Sequence, residues 1–167
     1  RFNKAVEQLG SPEQTIRIGG IYALWRIAND SPDRDQRPIW NILCAFVRQP
    51  SYPHIAQISE EDNEINNMLR DDVQTILNLM GSEEAATSRA NKAYEMDLTG
   101  AELSKGILNR GNFSGGNFTR ANLSGSTLIN ANLSRTLLTE ANFSDTKMAA
   151  AILIEAFGVK VDFSDSD

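Results

Sequence analysis

From Met96 onward, large apolar side chains recur every five residues: Leu98, Leu103, Leu108, Phe113, Phe118, Leu123, Leu128, Leu133, Leu138, Phe143, Met148 and Leu153. Two residues before each stands Met96 or, at the other eleven positions, a small residue: Ala101, Gly106, Gly111, Gly116, Ala121, Ser126, Ala131, Thr136, Ala141, Thr146 and Ala151. The residue after the large one is usually Ser or Thr. A period of five fits neither a helix at 3.6 nor a strand at 2. It fits a coil with four sides of five residues, in which side chains twenty apart lie one above another: Leu98 on Phe118 on Leu138, Phe113 on Leu133 on Leu153. The narrow interior of such a coil explains why the second inward position takes only small residues. Coils joined by backbone ladders would be spaced about 4.8 Å apart, so residues 96 to 155 would make three coils rising roughly 14 Å. The phase continues through Ala156, Gly158, Val161 and Phe163, with Gly158 filling its slot poorly.

Residues 1 to 92 follow the helical period instead. Phe2, Val6 and Leu9 form one stripe, and Ser11-Pro12-Glu13-Gln14 reads as a helix start with a capping box. The helix that follows, to about Asn29, carries apolar residues on two sides and so needs two neighbours. Gly19-Gly20 in its middle costs about 1 kcal/mol per glycine relative to Ala, which points to close approach of the preceding helix. Ile39, Ile42, Leu43, Phe46 and Val47 define another helix, up to Pro50 and Pro53. The spacing predicts a further helix from Ser59 through Ile65, Met68, Leu69, Val73, Ile76, Leu77 and Met80, ended by Gly81. Ser82 starts a short polar helix reaching about Lys92. These paired helices read as a small stack like a piece of a HEAT or armadillo array.

The pattern Ala121-Asn122-Leu123-Ser124-Gly125, repeated at Ala131-Asn132-Leu133-Ser134-Arg135 and Ala141-Asn142-Phe143-Ser144-Asp145, resembles the pentapeptide-repeat family. The segment from Ala5 through Arg17-Ile18-Gly19-Gly20 to Arg48 resembles the helical module that precedes such repeats in many bacterial proteins. The resemblance implies a right-handed shape for the coil. The fold class expected is therefore α+β: a small helical stack over residues 1–92, then a right-handed quadrilateral parallel β-helix, a pentapeptide-repeat solenoid, over residues 93–167 with three to three and a half coils. The twelve large residues from Leu98 to Leu153 would form its core. Family members include gyrase-protecting DNA mimics, secreted effectors and assembly factors, so the resemblance implies a shape more than a task.

Composition narrows the task. Sixteen Lys and Arg against 22 Asp and Glu give a net charge of −6, with 10 basic and 14 acidic residues in 1–95 and 6 and 8 in 96–167. No basic stripe serves a phosphate backbone, so direct nucleic-acid binding is not expected. No apolar run approaches the roughly 20 residues of a membrane helix, so this segment is expected not to insert. The expected location is cytoplasmic; the start at Arg1 suggests a longer parent protein, with a membrane anchor upstream as one form of it.

Chemistry has few candidates. His54 is the only histidine and Cys44 the only cysteine, so a metal cluster or a paired nucleophile and base has no material. Asp71-Asp72 and Glu60-Glu61-Asp62 supply paired carboxylates, the latter better read as favourable charges at a helix start. The asparagines at 112, 117, 122, 132 and 142 are expected to bond neighbouring backbone. No catalytic, cofactor or metal site is expected. The function expected is non-catalytic protein interaction or scaffolding by shape, with an unidentified protein partner; the alternative is a DNA-mimic inhibitor or protector of a topoisomerase, and an enzyme is a remote third. Trp40, Tyr52 and Tyr94 are the candidate interaction surface, packing of the helices being the competing role for Trp40 and Tyr94. Self-association at the C-terminal coil is a further expectation.

Overall fold

The computed structural model describes residues 1–49, 68–92 and 95–167. Among the described residues five helices precede the repeats: α1 (Phe2–Leu9), α2 (Gln14–Asp30), α3 (Gln36–Arg48), α4 (Asp71–Met80) and α5 (Glu83–Lys92). Helix α2 packs on α1, α3 and α4, as its two apolar sides require. Gly20 is where α1 comes closest: a Cβ there would lie 2.8 Å from Gln8 Cβ and 2.9 Å from Ala5 O, whereas Gly19 faces open space. Helix α2 starts later than its sequence predicts. Ser11 Oγ accepts the Glu13 N–H at 3.1 Å, and the Ser11 and Pro12 carbonyls accept Arg17 Nη1 at 3.0 and 2.7 Å. The Gln14 amide, instead of closing a capping box, donates to Asp71 Oδ2 at 2.8 Å. The helix predicted from Ser59 begins at Asp71, because Arg70 is extended, with ψ of 136°; its earlier part lies outside the described residues.

A buried carboxylate ties α2 to α4. Asp72 is fully buried and accepts Arg17 Nε at 2.6 Å, both arms of Arg70 at 2.9 and 3.0 Å, and the Val73 N–H at 2.8 Å. Burial pushes this carboxyl up, but the hydrogen bonds and charges of Arg70 and Arg17 more than offset it and hold it below its ordinary value of 3.8. The pair read from sequence as adjacent carboxylates is therefore split, with Asp71 outside and Asp72 inside.

The expected fold class is corrected in its second half. Among the described residues there is no β-strand, and the regular elements are the five helices. A parallel β-helix of strands is therefore not what the repeats build, and the solenoid of strands is withdrawn with it. From Asp97 on, the chain is a stack of turns joined by isolated parallel bridges: Asp97 to Asn117 to Leu137 to Phe157, Glu102 to Asn122 to Asn142 to Asp162, Ile107 to Thr127 to Lys147, and Asn112 to Asn132 to Ile152. The reason is local. Two residues after each bridge a turn opens, closed by bonds such as Ala101 N–H to Leu98 O at 3.0 Å. Its second central residue has positive φ, as at Gly100 (65°), Arg120 (57°) and Glu140 (59°), while its first does not, the signature of a type II turn. With a turn on every side, pairing cannot run beyond one residue.

Each bridge nevertheless carries a full set of bonds. The Leu98 N–H donates to Asn117 O at 2.8 Å, the Asn117 N–H donates back to Met96 O at 2.8 Å, and the Gly100 N–H reaches Thr119 O at 2.8 Å. The asparagines complete the turns: Asn117, Asn122, Asn132 and Asn142 Oδ1 each accept the N–H two residues on, at 3.0, 3.1, 2.9 and 2.8 Å. Inward Thr136 and Thr146 spend their hydroxyls on Leu133 O and Phe143 O at 2.6 and 2.7 Å, so a polar residue can sit inside.

Candidate interaction surface

The helices and the repeats meet at the first level of the stack. Higher up, a bridge residue's carbonyl receives an N–H from the level below and its own N–H donates downward. At the bottom the helices supply the missing partners. The Gln74 side chain imitates a backbone: its Nε2 donates to Ile107 O at 2.7 Å and its Oε1 accepts the Ile107 N–H at 2.9 Å. The Gly81 carbonyl accepts the Asn112 N–H at 2.8 Å. Arg89 Nη2 donates to Asn112 O, and Arg48 Nη1 to Asp97 O at 2.9 Å and to the Asp97 carboxylate. Gly81 permits the approach, since a Cβ there would lie 2.9 Å from the Phe113 ring.

Arg89 is buried, and among the described residues no carboxylate forms an ion pair with it. Its other donor reaches Met80 O at 2.6 Å, at the C-terminal end of α4 where the helix dipole favours a cation, and its guanidinium lies 5.4 Å from the Trp40 ring centre. Burial lowers its pKa to about 10, so it stays charged at neutral pH. A groove of about 480 Å³ between α5 and the stack is lined by Arg89, Ser114, Asn132, Ser134 and Arg135. Its cations are already engaged, Arg89 by carbonyls and Arg135 by Glu155 at 2.7 Å.

The residues singled out from sequence fall as follows. Leu98, Leu103, Leu108, Phe113, Phe118, Leu123, Leu128, Leu133, Leu138 and Phe143 are buried, Met148 is partly buried and Leu153 is exposed. In the slot of Gly158, Val161 compensates: its Cγ2 lies 2.5 Å from where a Gly158 Cβ would stand. Trp40 is buried, with its ring 5.8 Å from that of Trp25, and presents no surface. Tyr52, Tyr94 and His54 lie outside the described residues. Cys44 is buried and its thiol is pushed up to about 11 by burial, which leaves no thiolate for nucleophilic chemistry at neutral pH. Among the described residues no group of three or more His, Cys, Asp or Glu could hold a metal ion, and no helix is long and apolar enough to cross a membrane.

One surface was missed. On the side of the stack that carries the bridges from Asp97 to Phe157, the outward residues change with height. Ser114, Asn117 and Thr119 give way to Ser134, Leu137 and Thr139, and then to Ile154, Phe157 and Val159. Leu137 is 46% exposed, Ile154 67%, Phe157 62% and Val159 53%. The signal was in the sequence, in the outward phase rather than the inward one. Asp97 and Asn117 cap their own turns, and Leu137 and Phe157 occupy the same position with no polar group to do so.

Residues 117–153 match the family described as pentapeptide repeats, in eight copies. No curated protein matches the chain. Among solved structures, the chain is similar to alr5209, a pentapeptide repeat protein from Nostoc Pcc 7120, with 23% identity over 49% of this chain and 72% of that chain and a TM-score of 0.38. It is similar to Rfr23 from the cyanobacterium Cyanothece 51142 with 28% identity over 42% of this chain and 52% of that one, TM-score 0.28. Trypsin-treated QnrB1, described as a plasmid-mediated fluoroquinolone resistance protein, shares 21% identity over 42% of this chain and 36% of its own, TM-score 0.27. Residues 117–153 thus carry pentapeptide repeats, and an N-terminal helical region precedes them.

Proposed function

We propose that the protein is a binding module that works by surface complementarity, with residues 1–92 as a HEAT- or armadillo-like base and residues 93–167 as the stack that meets a partner protein. The observation that carries this reading is the exposed apolar side of the stack at Leu137, Ile154, Phe157 and Val159. Contiguous exposed apolar side chains on a folded protein mark contact surfaces. The test is affinity capture with the wild type and with Phe157→Asp. A partner held by the first and lost from the second supports the reading; equal capture by both overturns this side as the contact surface.

DNA mimicry toward a topoisomerase is the second reading, and the net charge of −6 is the observation that favours it. Within residues 96–167 the 8 acidic side chains stand among 6 basic ones, and Arg120 and Arg135 are paired with Glu140 and Glu155 on the stack's surface. Adding the protein to a gyrase supercoiling assay separates the readings. Inhibition, or protection from a gyrase poison, establishes mimicry; an unchanged reaction leaves the apolar side as the binding surface.

A further inference from the structure

We propose that the partner for the apolar side of the stack is a second copy of this chain, paired through Leu137, Ile154, Phe157 and Val159. This rests on the reading of that side as a contact surface and goes beyond it by naming the occupant. The argument is the arrangement of charge around the patch. Chain order places Ile154 and Glu155 at the corner before Phe157, and Val159 and Lys160 at the corner after it. One level below, Arg135 lies under Glu155, paired with it at 2.7 Å, and Glu140 lies under Lys160, its N–H bonded to Val159 O at 2.8 Å. Taken in order around the patch, the four charges alternate in sign: Arg135, Glu155, Lys160, Glu140.

A dimer formed by one face on itself has its twofold axis in the plane of that face. If the axis runs along the stack, Glu155 meets the other copy's Lys160 and Arg135 meets its Glu140. If it runs across the stack, Arg135 meets Glu155 and Glu140 meets Lys160. Either axis sets opposite signs together around an apolar centre, so the face is complementary to itself. A rim of one sign would instead have pointed to a partner of the opposite charge. All four charged residues are exposed, Arg135 paired with Glu155 and Glu140 with Arg120 on the surface of the stack. Two levels rise only about 10 Å, so the side they form offers less area than a standard interface of about 800 Å² per partner, and the dimer is weak enough to dissociate on dilution.

Sedimentation velocity over a wide range of loading concentrations tests this. The wild type is expected to shift from monomer to dimer as concentration rises. Phe157→Asp is expected to remain monomeric, with a melting curve close to that of the wild type because the ring is exposed; Ile154→Asp at the corner gives the same readout should Phe157→Asp fail to fold. Lys160→Glu, which places like charges across either axis, is expected to raise the dimer dissociation constant about tenfold. A wild type that is monomeric throughout overturns the proposal, and if Phe157→Asp still abolishes capture of another protein, the contact surface itself survives. A dimer unaffected by Phe157→Asp and Ile154→Asp also overturns it and moves association to another surface, such as the exposed Leu153 and Phe163.

Discussion

The first and last levels of the repeat stack are built from the same five-residue unit, yet they sit in opposite environments. Leu98, Leu103, Leu108 and Phe113 are 0–2% exposed, set on helices whose side chains fill the open backbone positions of Asp97, Ile107 and Asn112. Leu153 and Phe163 are 36% and 41% exposed. A repeat unit therefore does not carry its stability with it. It draws that stability from what lies above and below, as expected of arrays in which each unit contacts only its neighbours.

Truncating one buried and one exposed ring separates the two levels most strongly. Phe113→Ala is expected to cost about 3–5 kcal/mol, the range for a fully buried aromatic. Phe163→Ala removes a ring that still stacks on Phe143 at 5.2 Å between centres but is partly solvated, and is expected to cost less than half as much. Urea denaturation of both variants decides it, and equal losses would show the two levels to be energetically alike.

Next in size is the foundation of the covered level. Asp72→Ala leaves Arg17 and Arg70 without their shared carboxylate and is expected to cost about 3 kcal/mol, at the low end for a broken buried pair. The sign with pH follows from the lowered carboxyl. A group held below its ordinary value of 3.8 contributes fully above that value and loses its contribution as pH falls through the lower value of the folded state. Thermal melts should thus be flat in this contribution near neutrality and fall in acid below about pH 4, and Asp72→Asn should remove that part of the acid sensitivity.

The smallest effect is the most specific. Gln74→Ala strips both bonds from Ile107, whose backbone water can then reach, and is expected to cost about 1 kcal/mol. Hydrogen exchange at the Ile107 amide is the sensitive readout: it should speed up in the variant while the Thr127 amide, bonded to Gly106 O at 2.9 Å, keeps its protection.

The five-residue phase, the twenty-residue stacking and the bonding of the asparagines were all legible, because each is a property of the repeat itself. Strand content was not. The sequence shows which side chains point inward, but whether a side holds a ladder or a single bridge depends on backbone angles, and here a turn with positive φ follows every bridge, even at Arg120, Glu140 and Ala150. Trp40 stood open between a rigid contact at a module boundary and packing of the helices; it packs, buried against Trp25 and Arg89. The apolar side was missed because Ile154, Phe157 and Val159 are separated along the chain by Glu155, Ala156 and Gly158, and become neighbours of Leu137 only when levels twenty residues apart are stacked.

Spacing along one chain is enough to specify the change of period at Met96, the inward set from Leu98 onward and the helical character of what precedes it. Packing in three dimensions is what makes Gln74, Gly81, Arg48 and Arg89 complete the bottom of the stack, buries Asp72 between two arginines, and sets four alternating charges around an apolar side. Apart from the Arg70 bond to Asp72, those contacts join residues 20 to 55 positions apart. Nothing in local spacing specifies which distant donor will meet which open carbonyl until the packed helices and the stacked turns bring them within bonding distance.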